Sequence, residues 1–350
     1  MVLAGTRRVV NGRVSMPTLL NVANPLGAGN RANGGNTQRG GKMIYSITLN
    51  PALDRTLWVE TIRRDDSNRI EREERYAGGK GIDVSKVLTA LGLSNKAMGF
   101  VGGFAGEELE GRLLNEGIGC DFVRISGETR TNVVVNDMRT GKQMLFSGRG
   151  PEIQPYELMQ IIHKVEELKD PELVVVSGSL PPGVHPEIYR KIIEISKSKG
   201  AWVILDTDGD ALKVGLQAHP DAIKPNIHEL SRLVGQELSA MDEIRGAAQD
   251  VRRQGVGVVL VSMGAKGILL VGEKEHYLAV PPKVVVKNTI GAGDSAVAGF
   301  VYGLANKEGL KEALIYAVAA GTATTLREGT ALCGREDFLK LVSRVTVRKR

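Results

Sequence analysis

The sequence predicts an α/β fold in which helices cover both faces of a mainly parallel sheet. Beyond residue 150, short apolar runs typical of buried strands alternate with stretches that have helical spacing. Two groups of strand-like segments, near 56–76 and 131–146, fall outside this alternation. They predict a small β-sheet inserted into the α/β unit.

In the first half of the chain, predicted structure begins at Met43. The β-rich run Met43–Leu49 is followed by an Asn-Pro turn, and helical spacing begins after a glycine-rich turn at 78–81. A second turn at 139–142 separates two strand-like runs and indicates a hairpin. The further elements predicted here are the strands Thr56–Ile62 and Arg69–Tyr76, the helix Ile82–Leu91, and the hairpin strands Thr131–Asp137 and Gln143–Phe146.

The second half carries the regular alternation. Its predicted strands are Leu173–Ser177, Trp202–Asp206, Ala222–Lys224, Val258–Ser262 and Val284–Lys287. Its predicted helices are Pro186–Lys199, His228–Leu233, Met241–Gln254, Ser295–Leu304 and Leu310–Leu326. Strands joined through helices at this spacing are typical of parallel sheets.

Composition argues against several classes of protein. No run of about 18 apolar residues occurs, so we expect no membrane-spanning helix and no membrane partner. Residues 1–42 carry six basic and no acidic side chains, while residues 43–350 carry 40 of each. The net charge of +6 therefore belongs to the first segment, and a nucleic-acid-binding surface is not indicated.

Residues 1–42 contain eight glycines and six asparagines but no aromatic residue. We expect a disordered basic extension there, with an organelle-targeting role as the alternative, and a single domain over 43–350. The two cysteines, Cys120 and Cys333, lack metal-binding spacing and fit a reducing, cytoplasmic location.

The most informative motif is Gly291-Ala292-Gly293-Asp294, between a predicted strand and a predicted helix. Glycines let a ligand approach the backbone, and a helix N-terminus attracts anions. An acid beside such a site makes sense if it takes a proton from a hydroxyl that attacks a phosphate. Asp294 as a plain helix N-cap fits the spacing equally well. No Walker P-loop motif occurs.

Two other motifs are candidates for binding. Lys224-Pro-Asn226 precedes a predicted helix, and Glu229 three residues later makes either a capping box or, with Lys224, a site for nucleotide phosphate and Mg²⁺. Asp54 follows the first strand, and Lys80 lies in the glycine turn, where it suits an anion or is simply a solvated charge.

Taken together, these stretches resemble the PfkB carbohydrate kinase family, which has a ribokinase-like fold. The resemblance covers nearly all of 43–350 in order and includes the segments 48–54, 77–83, 101–103, 129–132, 176–183, 224–226, 261–264 and 289–294. It implies a three-layer α/β/α domain, a β lid with strands mainly within 55–78 and 129–148, and a homodimer formed through the lids.

The resemblance also implies roles for particular residues, with Asp294 as the catalytic base. The implied anion hole consists of Gly291, Ala292 and Gly293. The implied ATP site consists of Lys224, Asn226, Ser262, Gly264 and Gly267, with Glu229 acting indirectly on Mg²⁺. The implied sugar-phosphate site consists of Asp54, Gly79, Lys80, Asp83, Arg69 and Arg130. A monovalent cation such as K⁺ is implied near Asn288 and Ile290.

Within the family, the chain resembles the phosphofructokinase and tagatose-phosphate kinase branch. Its first half is more like 1-phosphofructokinases, and residues 319–333 are more like a 6-phosphofructokinase. We expect fructose 6-phosphate as the substrate, with fructose 1-phosphate and tagatose 6-phosphate as alternatives. Asp83 departs from the pattern, because relatives commonly have Asn there and an ionised Asp cannot donate a hydrogen bond.

Other classes fit less well. A dinucleotide-dependent dehydrogenase predicts a GxGxxG motif after the first strand, where this chain instead has Asn50-Pro51. A regulator that only binds predicts loss of the acid or of the glycine turn, and both are present. The sequence therefore favours an ATP-dependent kinase.

Overall fold

The computed structural model describes residues 43–350, and the predicted basic extension over 1–42 lies outside the described residues. Within that range there are fourteen strands and ten α-helices. The strands are β1 (Met43–Thr48), β2 (Ala52–Val59), β3 (Ile70–Gly78), β4 (Asn95–Val101), β5 (Gly119–Arg124), β6 (Arg130–Asp137), β7 (Gln143–Phe146), β8 (Pro171–Ser177), β9 (Trp202–Asp206), β10 (Ala222–Ile223), β11 (Val258–Ser262), β12 (Ile268–Val271), β13 (His276–Val280) and β14 (Thr346–Lys349).

The helices carry most of the chain between the strands of the large sheet. They are α1 (Lys80–Ala90), α2 (Gly103–Asn115), α3 (Pro155–Glu166), α4 (Glu187–Ser198), α5 (Gly209–Leu216), α6 (Ile227–Val234), α7 (Met241–Arg253), α8 (Ala292–Ala305), α9 (Leu310–Thr325) and α10 (Arg335–Val342). Within residues 43–350, none of them is long and apolar enough to cross a membrane.

A ten-stranded sheet organises the fold. Its strand order is β14-β13-β12-β11-β10-β9-β8-β1-β4-β5, and the seven strands from β11 to β5 are parallel. The remaining three strands are antiparallel. This confirms the predicted mainly parallel sheet.

Helices cover both faces, as predicted for a three-layer α/β/α arrangement. One buried apolar cluster joins the sheet to α3, α4 and α5–α7, and includes Ile161, Ile193 and Val251. The other joins the opposite face to α1, α8, α9 and α10, and includes Phe300 and Ala320. Burial of apolar surface on both faces is the main force that holds these layers together.

A separate four-stranded sheet is present, with strand order β3-β2-β6-β7. Strand β2 pairs antiparallel to β3 and parallel to β6, and β6 pairs antiparallel to β7. Strand β2 begins earlier than predicted, at Ala52, so Asp54 lies inside the strand rather than in a turn before it. The inserted sheet predicted from the misfitting segments is therefore confirmed.

The predicted strand Val284–Lys287 is wrong. Its β-branched residues lie outside both sheets and have no regular secondary structure, with Val285 and Val286 exposed. The edge of the sheet beyond β13 is occupied by β14, so no strand position remains there. The hairpin β12–β13 and strand β14 were not predicted.

Candidate active site

The candidate site lies at the carboxyl ends of the parallel strands. The chain adds β4 and β5 on one side of β1 and β8 to β11 on the other, so the strand order reverses beside β1. Ligands bind preferentially outside the carboxyl ends of strands at such a switch point. Asp206 ends β9 and Lys224 follows β10 directly, which places two charged side chains at this edge.

Asp294 is the third residue of α8, and the N-cap of that helix is Gly291. The interpretation of Asp294 as an N-cap is therefore wrong. Gly291 has a φ of 73°, a left-handed conformation that glycine adopts without strain. The Ala292 N–H donates to the Thr289 carbonyl at 3.3 Å. The N-terminus of the helix thus lies beside a carboxylate that has no capping function.

The surroundings of Asp294 raise the pKa of its carboxyl to about 7. Burial is the largest cause, and the nearby carboxylates of Asp206 and Glu229 add to it. Lys80 and Lys224 act in the opposite direction. A carboxyl with a pKa near neutral pH is suited to general base catalysis.

Asp206 is a central residue of the site that the sequence analysis missed. Its fully buried carboxylate lies 3.2 Å from Nζ of Lys80 and 3.4 Å from Nζ of Lys224. Burial acts to raise the pKa of Asp206, but the two ammonium groups outweigh it and hold the pKa below its ordinary value. The available signal was a lone acid at the carboxyl end of a buried strand.

Lys80 turns toward carboxylates. Its Nζ lies 3.9 Å from Oε1 of Glu229 in addition to its contact with Asp206. Burial acts to lower the pKa of Lys80, but Asp206, Asp294 and Glu229 raise it above its ordinary value. Lys80 therefore stays charged. Because its ammonium group pairs with carboxylates of the site, the interpretation of Lys80 as a plain solvated charge is wrong.

Asn226 and Glu229 form a capping box at the start of α6. The Asn226 side chain accepts from the Glu229 N–H at 2.9 Å, and Oε2 of Glu229 accepts from the Asn226 N–H at 2.8 Å. Oε1 of Glu229 is left for another partner. Glu229 can therefore cap α6 through Oε2 and bind a ligand through Oε1.

Gly293 leaves open space beside Lys224. A Cβ placed on Gly293 would meet only the Lys224 Nζ, at 3.5 Å. The backbone of Gly291, Ala292 and Gly293 thus lies next to a buried ammonium group at a helix N-terminus. Both features attract anions.

Asp54 lies on β2, in the four-stranded sheet. Its Oδ1 accepts from Nδ2 of Asn132 at 2.7 Å, and a Cβ on Gly78 would collide with its carboxylate. Burial raises the pKa of Asp54, against the opposing effects of Asn132 and Arg130. Gly79, which has a φ of 119°, is the N-cap of α1.

Arg130 ties three segments together. Its Nε and Nη2 donate to the Asn50 carbonyl at 3.1 and 2.9 Å, and Nη1 donates to the Gly148 carbonyl at 3.0 Å. Two of its five N–H donors remain for a ligand. Arg130, Lys80 and Glu229 line one cavity of about 870 Å³.

Arg69 does not join this group within one chain. It is exposed and precedes β3, whereas the site end of β3 is Gly78. Ile70 and Gly78 are eight positions apart along the extended strand, a distance of about 26 Å.

Asp83 lies in the first turn of α1 and faces the turn before α8. A Cβ on Gly291 would lie 4.0 Å from Oδ2 of Asp83. Burial and the charge of Asp294 raise the pKa of Asp83 well above its ordinary value. A protonated Asp83 could donate a hydrogen bond as well as accept one.

The end of β11 and the segment after it carry the three remaining nucleotide-site candidates. Ser262 donates its N–H to the Pro225 carbonyl, which joins this segment to the Lys224 loop. Gly264 faces open space. A Cβ on Gly267 would collide with the Ala279 carbonyl, so this glycine is required for packing against β13.

The predicted cation segment is tied to the C-terminal loop. The Asn288 side chain accepts from the N–H groups of Thr289 and Ile290 and donates to the Gly329 carbonyl. Its amide is therefore already engaged. Among the described residues, the buried hydroxyl of Thr330 has no hydrogen-bond partner, so an oxygen ligand is present close by.

Within residues 43–350, no group of three His, Cys, Asp or Glu side chains is arranged to hold a metal ion. Mg²⁺ commonly keeps several waters and uses one or two carboxylates together with substrate phosphates. The free oxygen of Glu229 fits such a role.

The comparison with known families agrees with this geometry. Residues 43–337 match the model described as pfkB family carbohydrate kinase. The chain belongs to this family. It is therefore a carbohydrate kinase, and the ribokinase-like architecture read from the sequence is confirmed.

The relatives of this chain are named for two different activities. The chain is 36% identical to the 1-phosphofructokinase of Bacillus subtilis over 298 residues, 85% of this chain and 96% of the relative. It is 36% identical to the ATP-dependent 6-phosphofructokinase isozyme 2 of Escherichia coli over 300 residues, 85% of this chain and 97% of the relative. A crystal structure of E. coli phosphofructokinase-2 in complex with potassium superimposes with a TM-score of 0.84 at 35% identity, covering 87% and 99% of the two chains.

Proposed function

We propose that this kinase transfers the γ-phosphoryl group of ATP to fructose 6-phosphate and forms fructose 1,6-bisphosphate. The observation that carries the proposal is Asp294, a carboxyl of pKa about 7 in the first turn of α8, beside two lysines and a glycine turn. Relatives named as fructose-phosphate kinases support the substrate class. Fructose 1-phosphate and tagatose 6-phosphate are the alternative acceptors.

In the proposed mechanism, the Asp294 carboxylate accepts the proton of the sugar hydroxyl as the hydroxyl oxygen attacks the γ-phosphorus. The bond between the γ-phosphorus and the bridging oxygen breaks, and ADP leaves with that oxygen. The N–H groups of Gly291, Ala292 and Gly293 stabilise the charge on the transferring group. Lys224, whose ammonium group lies beside Gly293, neutralises ATP phosphates. Asp54 binds sugar hydroxyls, and Arg130 binds the phosphate that the acceptor already carries.

The proposed nucleotide site lies at the end of β11 and in the segment after it. We propose that Ser262 and Gly264 lie against the nucleotide, because Ser262 is held to the Pro225 carbonyl beside Lys224. Asn226 contributes by fixing the start of α6. Gly267 has a packing role that supports this segment.

The test is a coupled assay for ADP formation on the purified full chain with Mg²⁺ and ATP. Fructose 6-phosphate, fructose 1-phosphate, tagatose 6-phosphate, fructose and ribose are compared by kcat/KM. We expect the highest value for fructose 6-phosphate. Turnover with free sugars alone contradicts the proposed phosphate site, and a preference for another hexose phosphate selects one of the alternatives.

We further propose that Mg²⁺ is held through water by Glu229, where it would neutralise phosphate charge. Glu229→Gln keeps an oxygen for the Asn226 N–H but removes the negative charge. We expect the Mg²⁺ concentration for half-maximal activity to rise about tenfold, with stability nearly unchanged. The measurement is an Mg²⁺ titration of kcat together with thermal unfolding.

Glu243→Gln is the matched control. Its Oε2 accepts from the Ala240 N–H at 2.9 Å at the start of α7, away from the site. An Mg²⁺ requirement that changes equally in both variants, or in neither, contradicts the role of Glu229.

A monovalent cation such as K⁺ is proposed where the Asn288 segment contacts residues 324–331, which include the end of α9 and the loop after it. The buried Thr330 hydroxyl and nearby backbone carbonyls, including that of Ile290, are suitable oxygen ligands. The relative whose structure is described in complex with potassium supports this assignment.

A homodimer formed through the four-stranded sheet is also proposed. Strand β7 presents exposed apolar side chains, with Leu145 at 64% exposure. Exposed apolar surface of this kind marks association sites. Because Arg69 lies far from its own site, we infer that it reaches the substrate phosphate of the partner subunit.

Mixing two inactive variants tests this arrangement. Arg69→Ala removes the arginine and Asp294→Asn removes the base, so each homodimer should be weakly active. After dissociation and reassociation together, mixed dimers contain one complete site and activity should return. Monomeric sedimentation of the wild type, or no recovery on mixing, contradicts the proposal.

The cytoplasm is proposed as the location. Both thiols, Cys120 and Cys333, are free, as expected in a reducing compartment.

A further inference from the structure

We propose that Lys80 is a catalytic residue that contacts the transferring phosphoryl group, and that Asp206 is the positioning residue that holds Lys80 and Lys224 as a pair. This assignment rests on the proposed kinase function. It differs from the family resemblance, which places Lys80 on the phosphate that the acceptor already carries. Asp206 had no role in the sequence analysis.

The geometry of the pair comes from three separate elements. Lys80 is the first residue of α1, Lys224 follows β10, and Asp206 ends the intervening strand β9. The carboxylate of Asp206 has 0% exposure and takes one ammonium group on each oxygen, at 3.2 and 3.4 Å. One buried acid therefore fixes two lysines that lie 144 residues apart in the chain.

The exposure of Lys80 and the unused donors of both lysines favour a ligand-binding role over a purely structural ion pair. Lys224 is 6% exposed, whereas Lys80 is 35% exposed and its ammonium group borders the cavity. The next carboxylate, Glu229, lies 3.9 Å from Lys80, beyond hydrogen-bond distance. Each ammonium group has three donors, so each retains donors for phosphoryl oxygens.

Both ammonium groups lie beside the Asp206 carboxylate, close enough to contact one anion together. Nζ of Lys224 is 3.5 Å from where a Cβ on Gly293 would lie, which places it beside the proposed anion hole. Lys80 is 35% exposed and lines the same cavity as Arg130 and Glu229. An anion in the anion hole would thus have Lys224 beside it and Lys80 on the side of the cavity.

These charges also act on the base. The groups that face Asp294 are Lys80 and Asp83 from α1, Asp206 from β9, Lys224 after β10, and Glu229 from α6. Tyr189 from α4 faces Asp206 and has a raised pKa, so it is neutral. Removing Lys80 should raise the pKa of Asp294, and neutralising Asp206 should lower it, because the two charges have opposite signs.

The experiment compares Lys80→Met, Asp206→Asn and the wild type of the full chain. For Lys80→Met we expect kcat to fall about 100-fold, with KM for the sugar phosphate changed less than about threefold. The acid limb of kcat/KM should move upward by about one pH unit in Lys80→Met and downward in Asp206→Asn. Asp210→Asn, an exposed acid on α5 with 82% side-chain exposure, should leave both parameters unchanged.

Two outcomes overturn the assignment. A raised KM for the sugar phosphate with unchanged kcat in Lys80→Met places Lys80 on the acceptor's existing phosphate. If the acid limb of kcat/KM lies at the wild-type pH in both variants, Lys80 and Asp206 do not affect the pKa of Asp294. If Asp206→Asn fails to fold, Lys80→Met alone decides. A wild type inactive on every sugar phosphate refutes the proposed function instead, so the two failures are distinguishable.

Discussion

Replacing Asp294 with asparagine is expected to lower kcat by about 1,000-fold. The amide of asparagine keeps the size of the side chain but cannot accept the hydroxyl proton, and general base catalysis contributes about 10²–10⁴-fold. KM for both substrates should change little, because the charged groups that bind phosphate are untouched. Steady-state kinetics on the full chain measure both parameters.

The pH profile of the wild type provides the companion test. With the pKa of Asp294 at about 7, kcat/KM should fall with decreasing pH below neutrality. In Asp294→Asn, the residual kcat/KM should no longer fall with decreasing pH below neutrality. Near wild-type turnover in Asp294→Asn would show that another group is the base.

The same substitution should stabilise the protein at neutral pH. The pKa of Asp294 is about 7 in the folded state against an ordinary value of 3.8. Its ionisation is therefore easier in the unfolded state, and the cost to stability grows as the pH rises from about 4 to about 7. Thermal unfolding of Asp294→Asn should show a gain in Tm above pH 7 that disappears below pH 4.

The second large effect is expected from Gly293→Ala. The added methyl group meets only the Lys224 Nζ at 3.5 Å, so the fold accommodates it. It also occupies the space through which a phosphoryl group approaches the backbone of the turn. Because loss of one oxyanion-hole donor costs about 10²–10³-fold in kcat, we expect a decrease of at least about 100-fold.

Stability separates this effect from a folding defect. Alanine is a better helix former than glycine by up to about 1 kcal/mol, so Gly293→Ala should unfold at the same or a higher temperature. Gly246→Ala is the matched control, since Gly246 lies within α7 and faces open space. It should gain stability and keep full activity. Equal activity in the two variants contradicts the anion hole.

Local patterns in the sequence are sufficient for much of the fold. The alternation after residue 150 identifies the parallel strands, because buried strands of a parallel sheet are apolar on both faces. The capping box of Asn226 and Glu229 needs only residues three apart. Val284–Lys287 shows the limit, because its β-branched run has strand propensity but β14 already occupies the edge of the sheet.

The sequence by itself determined the family, the glycine turn before α8 and the acid within its first turn. Only the tertiary structure decided which charges surround that acid. Lys80 and Asp206 are 126 residues apart, and their contact depends on where α1 begins and where β9 ends. Arg69 is close in sequence to the glycine turn yet lies at the far end of β3. Distances of this kind are set by strand order and packing of the layers, which no local residue pattern contains.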